Sequence, residues 1–309
     1  ADLNKPLSDR VACWEFVVNE LKQGTSLPAT RPETEVGRAT SGTANAYLGF
    51  ACLTRAYEES AQEESHLRDA LEAINKVQGY ELVSGDALIN MFNGRNKNCK
   101  ESVFELQYSL STDNGAAYYS YVHSWIRVGE LGGWDEILPS DVLMKEFKKE
   151  GKSSLSGGYD ERLYNTVYFQ DDFYNDGTGK IYGYDYDEIF WDWRKNKDKE
   201  YVDINGNVIK EDELETKGVK DPYDRPNFRR FTPINEEERQ MARCAYNIPL
   251  MRYANVLLMK AEILNKQGHP ELAIPIINEI RAKHGNMPAM TGTTQSEVQA
   301  QIEHERIIE

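Results

Sequence analysis

The chain has 309 residues, enough for one large or two smaller domains, so core size sets no limit. Its 51 Asp and Glu outnumber 36 Lys and Arg, giving a net charge of −15 and a surface that repels nucleic-acid phosphates. No apolar run approaches the ~18 residues needed to cross a membrane, and no signal peptide opens the sequence.

The first elements are helical. Cys13 and Cys52 fall on the apolar faces of predicted helices and are expected as buried thiols. The four cysteines have no metal-type spacing. Thr40–Glu59, TSGTANAYLGFACLTRAYEE, reads as an alanine-rich helix. Ser65–Val77 follows, with Leu67, Ala70, Leu71, Ile74 and Val77 on one face. The acidic link Glu58–Glu64 is longer than a standard helical repeat allows, and Tyr80–Leu82 reads as an extended exit. Ser102–Tyr108 alternates Val103, Glu105 and Gln107 against Phe104, Leu106 and Tyr108, which predicts a strand.

The middle differs in kind. Residues 108–193 hold eleven of the 18 Tyr and four of the 5 Trp, among many Gly, Asp, Ser and Asn and little helical period. The helix signal there is confined to about Ser140–Lys149, with Ser140 as N-cap. The densest aromatic run is Asp113–Trp134, DNGAAYYSYVHSWIRVGELGGW. Tyr118, Tyr119, Tyr121, Trp125 and Trp134 are candidates for a stacking arc, with Asn114, His123 and Arg127 as polar partners. Core packing is the alternative for each ring, and a structural role is favoured for Trp134. Trp191 and Trp193 share a side with Ile189 if extended, which favours an apolar layer. Asp203–Asn207, DINGN, predicts a hairpin turn between Tyr201–Val202 and Val208–Ile209.

Catalytic and metal chemistry find little support. Asp171, Asp172 and Asp176 offer oxygens to calcium, but EF-hand spacing is absent and an Asp-Gly turn accounts for them, so no metal is expected. The five His show no ligand spacing and are expected mostly at the surface. No nucleophile elbow or phosphate loop occurs. A carboxylate pair of the glycoside-hydrolase kind depends on separation in space, which sequence does not give. Acidic runs such as Glu211–Glu215 and Glu236–Glu238 read as solvated faces.

The last third returns to helices. Arg252–Gly285, RYANVLLMKAEILNKQGHPELAIPIINEIRAKHG, predicts two amphipathic helices folded back on each other. Leu257, Ala261 and Leu264 form one stripe, and Ala273, Ile277 and Ile280 the other. Gly268 suits a helix C-terminus and Pro270 a first turn. Small and apolar positions around Gly268 follow tetratricopeptide spacing, although a plain helical hairpin fits equally. Glu297–Glu309, EVQAQIEHERIIE, predicts a further amphipathic helix with Val298, Ile302 and Ile308 for packing.

Five stretches, in collinear order, resemble the SusD/RagB family. Arg252, Tyr253, Ala254, Val256–Met259, Ala261, Glu262, Leu264, Asn265, Ala273, Asn278, Ile280 and Arg281 match its C-terminal hairpin pattern. Gly37–Ala44 resembles its "GRAT-G-A" approach to an alanine-rich helix, and Glu101–Tyr108 its "E.IFEIQY" strand. Gly132–Pro139 with Tyr159–Leu163 resembles its "GW....P" and "D.R" run, and Glu305–Glu309 the start of "ERR.EL".

The resemblance implies a mostly α fold of tetratricopeptide-like helical pairs, with an irregular, loop-rich insert containing short strands. Residues 1–100 would form an N-terminal helical part and 101–309 the RagB/SusD-like region. Within it, 101–246 would be the aromatic-rich ligand part and 247–309 the hairpin and terminal helix, all in one structural unit. It implies a cell-surface lipoprotein of Bacteroidetes, on the extracellular face of the outer membrane, held by a lipid anchor not in this chain. Its ligand would be an oligosaccharide and its partner a SusC-like TonB-dependent transporter, with no enzymatic activity and no cofactor. A helical protein- or peptide-binding module is the alternative reading. The family's N-terminal portion and the helices after ERIIE are not in the sequence, which is the expectation for a fragment.

Overall fold

The computed structural model describes residues 8–110, 119–127, 129, 132–134, 136–169, 171–175, 196–198, 200–203, 205–214, 226–231 and 244–309. The chain divides into two compact units. The first comprises residues 1–107, 153–156 and 247–309. The second comprises 108–152 and 157–246.

The first unit is helical. It contains α1 (Arg10–Gly24), α2 (Ser41–Glu58), α3 (Glu63–Asn75) and α4 (Asp86–Phe92), then β1 (Ser102–Leu106). It resumes with β4 (Ile248–Arg252), α8 (Tyr253–Lys266), α9 (Pro270–Ile280), one π turn (Arg281–Gly285) and α10 (Gln295–Ile308). The polar residues flanking the apolar runs set the helix starts. Thr40 and Thr43 cap α2 reciprocally, and Thr294 does the same for α10 with Glu297. Gly268, at φ +84°, ends α8 in the left-handed conformation that glycine adopts without steric cost.

The predicted stripes meet. Ala261 and Leu264 of α8, Ala273 and Ile277 of α9, and Val298 and Ile302 of α10 form one buried cluster. A larger one joins α2 and α3 to the β4–α8 segment through Ala46, Ala70, Ile74, Met251 and Met259. The upstream pair is thus not a separate hairpin but shares its core with the C-terminal one. The acidic link between α2 and α3 accommodates its length in a short 3-10 turn, Ser60–Gln62.

β1 pairs antiparallel with β4, from Ser102 opposite Arg252 to Leu106 opposite Ile248, with irregular register near Phe104. The sequence pattern does not expose β4, whose Pro249 counts against a strand. A two-stranded ribbon tolerates it, because an edge strand leaves alternate N–H groups out of the ladder.

Behind the ribbon lies a buried charge cluster. The Arg252 guanidinium is 3.0 Å from Glu101 and 2.7 Å from the Glu309 carboxylate. The His284 imidazole bridges the same two carboxylates at 3.1 and 2.8 Å. Arg281 meets Glu305 at 2.8 Å, with Gln301 also donating to Glu305. The strand start, the β4–α8 corner, the π turn and the end of α10 are therefore tied by ion pairs that exclude water.

Two expectations are corrected here. Cys13 is exposed, not buried, because α1 fully buries only Val18 and leaves Phe16 and Val17 open. Cys52 is buried as expected. The histidines are mostly internal: His66, His123, His284 and His304 are buried, and only His269 is exposed. His66 and His284 accept burial because carboxylates face them, Glu59 at 3.1 Å in the first case.

The second unit holds α5 (Val122–Ile126), α6 (Asp141–Lys148), α7 (Glu161–Thr166), β2 (Val167–Tyr168) and β3 (Asn227–Phe228). Ser140 caps α6 through its hydroxyl, as the sequence predicts. β2 and β3 pair antiparallel. At the DINGN segment, Val202 is bridged to Val208 and the Asp203 carboxylate accepts the Asn205 and Asn207 N–H groups.

Candidate functional site

Within the second unit, two glycines shape the aromatic segment. Gly132 has φ +82°, open to glycine at little cost. A Cβ on Gly133 would lie 1.9 Å from the Arg127 carbonyl oxygen, so only hydrogen fits there. The chain then folds back over α5. Trp134 N–H donates to the Ser124 carbonyl at 2.6 Å, and the Glu136 and Ile137 N–H groups both donate to the Trp125 carbonyl.

That fold-back gathers rings. Tyr119 meets Tyr121 edge-on at 5.3 Å between centroids, and Tyr121 stacks on Trp134 at 5.8 Å and 24°. Trp125, on α5, is 48 % exposed and Trp134 is 46 % exposed. A half-exposed indole costs water contact unless something covers it, whereas core tryptophans hide most of their area. Of the sequence candidates, Tyr119, Tyr121 and Trp125 thus lie in one short segment with Trp134. Asn114 and Tyr118 lie outside the described residues, as do Trp191 and Trp193.

Arg127 takes a different place from the one expected. It is fully buried, and its guanidinium donates to the Gly132 carbonyl at 2.5 Å, so it holds the turn from beneath. His123 is also buried, 5.9 Å from the Tyr246 ring and 3.3 Å from the Ser124 hydroxyl. Trp134, a stacking candidate for which the Gly-Gly-Trp setting favoured a structural role, is half exposed.

Of the other described aromatics of this unit, Tyr164, Tyr168, Phe169, Tyr174 and Tyr246 are buried, whereas Phe173 is half exposed. Tyr164 lies 4.4 Å from Phe173 and 5.6 Å from Phe169, and Tyr174 donates its hydroxyl to the Val167 carbonyl. Burial pushes the Tyr174 phenol well above its ordinary pKa. The Arg229 guanidinium lies within 6 Å of the Tyr168, Phe173 and Tyr174 rings. Local aromatic enrichment therefore has two uses, a core stack and an exposed patch.

Among the described residues, the acidic groups singled out in the sequence serve structural roles. The Asp171 carboxylate caps a 3-10 turn through Phe173 N–H, and Asp172 accepts from the Asn175 amide, so both serve turn chemistry. Asp176 lies outside the described residues. Glu101, His284 and Glu309 converge with metal-like spacing. Arg252 already supplies the positive charge between the two carboxylates, which makes this an ion-pair cluster. Among the described residues no helix is long and apolar enough to cross a membrane.

A family model described as "SusD family" matches residues 100–309, well over half of the chain. The chain belongs to the SusD family. Its helical fold also resembles solved structures. A SusD superfamily protein from Bacteroides vulgatus ATCC 8482 is 22% identical, with TM-score 0.67, over 97% of this chain and 55% of that one. Surface glycan-binding protein A from Bacteroides uniformis is 14% identical, with TM-score 0.62, over 100% of this chain and 57% of that one. Its counterpart from Bacteroides thetaiotaomicron, solved with laminarihexaose, gives 14%, TM-score 0.59, and coverages of 96% and 58%. Identities this low bear on fold alone. The chain spans a little over half the length of these structures. No curated protein matches it.

Family membership gives the sequence motifs a physical meaning. Glu101, Arg252, Arg281, Glu305 and Glu309 are among the charged letters of the matched patterns, and they form buried ion pairs of this SusD-family fold. Asp160 and Arg162, the "D.R" pair, make a buried two-bond contact at 2.9 and 2.6 Å.

Proposed function

We propose that this SusD-family protein is a non-catalytic oligosaccharide-binding protein of the outer cell surface, held by a lipid anchor. It would pass its ligand to a SusC-like TonB-dependent transporter. Three residues of the sequence reading, Tyr119, Tyr121 and Trp125, are proposed as binding residues with Trp134. Asn114 and Tyr118 remain proposed partners from the adjacent segment, and Arg127 a residue that positions the turn.

The observation that carries this reading is the pair of half-exposed indoles, Trp134 backed by the Tyr121 ring. Sugar rings present apolar C–H faces that stack on flat side chains, and rigid aromatics lose little conformational entropy on binding. The structural neighbours named as glycan-binding proteins, one of them solved with laminarihexaose, support the ligand class. Calorimetry of the full-length protein against a panel of neutral and acidic oligosaccharides tests it. Binding weakened by Trp125→Ala is expected, and silence across the panel would overturn it. Loss of a protein partner, with sugar binding intact, would favour the peptide-binding alternative.

A further inference from the structure

The first unit contains a cleft of about 830 Å³ between the loop before α2, the exit of α3 and the approach to β1. That volume is within the range for small-molecule sites. Its charge is opposite to that of the chain. Arg31, Arg38, Lys97 and Lys100 line it, against one acid, Glu105. Glu105 is buried and committed, accepting the Asn98 N–H and the Asn247 amide at 2.7 Å.

The cations are held in different ways. The Arg31 guanidinium clamps the Ala39 carbonyl through two bonds, which fixes the loop. Arg31 and Arg38 lie 3.7 and 3.5 Å from Glu35, a loose contact that a stronger anion can replace. Lys100 is exposed and makes no ion pair among the described residues. The N-cap of α2, Thr40, also lines the cleft and adds the positive end of an 18-residue helix dipole. Beside the charges stand half-buried rings, with amide side chains near them. Tyr80 is stacked on Tyr253, Phe104 is set edge-on to Tyr47, and Gln78 and Asn96 provide neutral polar groups.

We propose that this cleft holds a saccharide bearing a carboxylate or sulfate group, with the anion among Arg31, Arg38 and Lys100 and a sugar face toward Tyr80 and Phe104. A bare-anion site would need only the cations. The flanking rings and amides are what a sugar adds to the requirement. The saccharide half of the proposal rests on the glycan-binding reading above, although the cleft and the Trp125–Trp134 patch lie in different units.

Calorimetry of the full-length protein at low and high salt, with four probes, tests it: oligogalacturonate, a sulfated chondroitin disaccharide, inorganic sulfate and neutral laminarihexaose. Arg38→Ala/Lys100→Ala alters two exposed side chains, so the fold is retained. It should weaken one or both acidic sugars about tenfold and leave laminarihexaose unchanged. Glu35→Gln should tighten acidic binding by removing the carboxylate that competes for Arg31 and Arg38, and salt should weaken it. Acidic sugars binding no better than the neutral hexaose, or unaffected by the double variant, would overturn the proposal while the Trp125 reading stands. Inorganic sulfate binding as tightly as the sugars would also overturn it, by reducing the cleft to an anion hole. Silence from every sugar would overturn both readings.

Discussion

The Arg252 guanidinium lies 3.0 Å from the carboxylate of Glu101, 151 residues earlier in the chain. Both groups are buried, and Arg252 also contacts the Glu309 carboxylate and backbone carbonyl. Desolvation opposes the charge on Arg252, but Glu309 and Glu101 outweigh it and raise its pKa. Replacing Arg252 by Met would leave two buried carboxylates facing each other. The expected cost is about 3–5 kcal/mol of folding stability, read as a lowered urea midpoint. A variant as stable as the parent would remove the cluster from any structural role.

His284 adds a pH dependence. Burial works against its charged form, yet the nearby Glu309 and Glu101 carboxylates dominate and raise its pKa from 6.5 to about 9. A group raised on folding stabilises fully below its unfolded pKa. Its contribution should therefore be intact below about pH 6.5 and fade as pH rises through about 9, by roughly 3 kcal/mol at most. Stability measured from pH 6 to 10 for the parent and His284→Gln checks this. The gap between the two curves should be widest at the acid end.

Gly133→Ala should disrupt the aromatic patch selectively. The new methyl would collide with the Arg127 carbonyl, so the fold-back that positions Trp134 must open. A red shift in tryptophan emission and loss of glycan binding are expected, with helical circular dichroism retained. Unchanged emission and binding would show that the turn does not position the patch.

Trp125→Ala tests contact rather than shape. The side chain is half exposed, so stability should change by less than about 1 kcal/mol. Affinity for a glycan ligand should fall about tenfold. Unaltered affinity would remove Trp125 from the binding surface.

The thiols should separate by rate. Cys13 is exposed, whereas burial raises the Cys52 pKa to about 11 and so suppresses its thiolate. Alkylation of the native protein, followed by peptide mapping, should label Cys13 first and Cys52 only after denaturation. Equal rates would contradict the packing of α2.

The helices were legible because period and capping are local. Ala261, Leu264, Ala273 and Ile277 announce their faces by spacing alone, and Thr40 and Ser140 their helix starts. β4 was not legible, because Pro249 counts against a strand and its pairing depends on β1. The buried charges were visible only as letters of a motif. Nothing local states that Glu101 faces Arg252 or that His284 sits between two carboxylates. Arg127 read as a ligand partner because a charged residue in an aromatic run usually faces water. Its burial under Gly132 follows from a turn closed by residues farther along.

Gln107 and Asn247, the last and first residues of the scaffold on either side of the loop-rich unit, share a hydrogen bond of 2.9 Å. The chain leaves the first unit after Gln107, returns to it at residues 153–156 and rejoins it at Asn247, so the outer ends of the excursion meet at one point. Closing a longer loop at fixed ends raises the entropic cost only with the logarithm of its length. The segment between them, which we propose carries the aromatic binding residues, can then lengthen, shorten or change while the helical cores and ion pairs keep their contacts. On that proposal the segment acts as an exchangeable cassette, its mutational change decoupled from the stability of the frame.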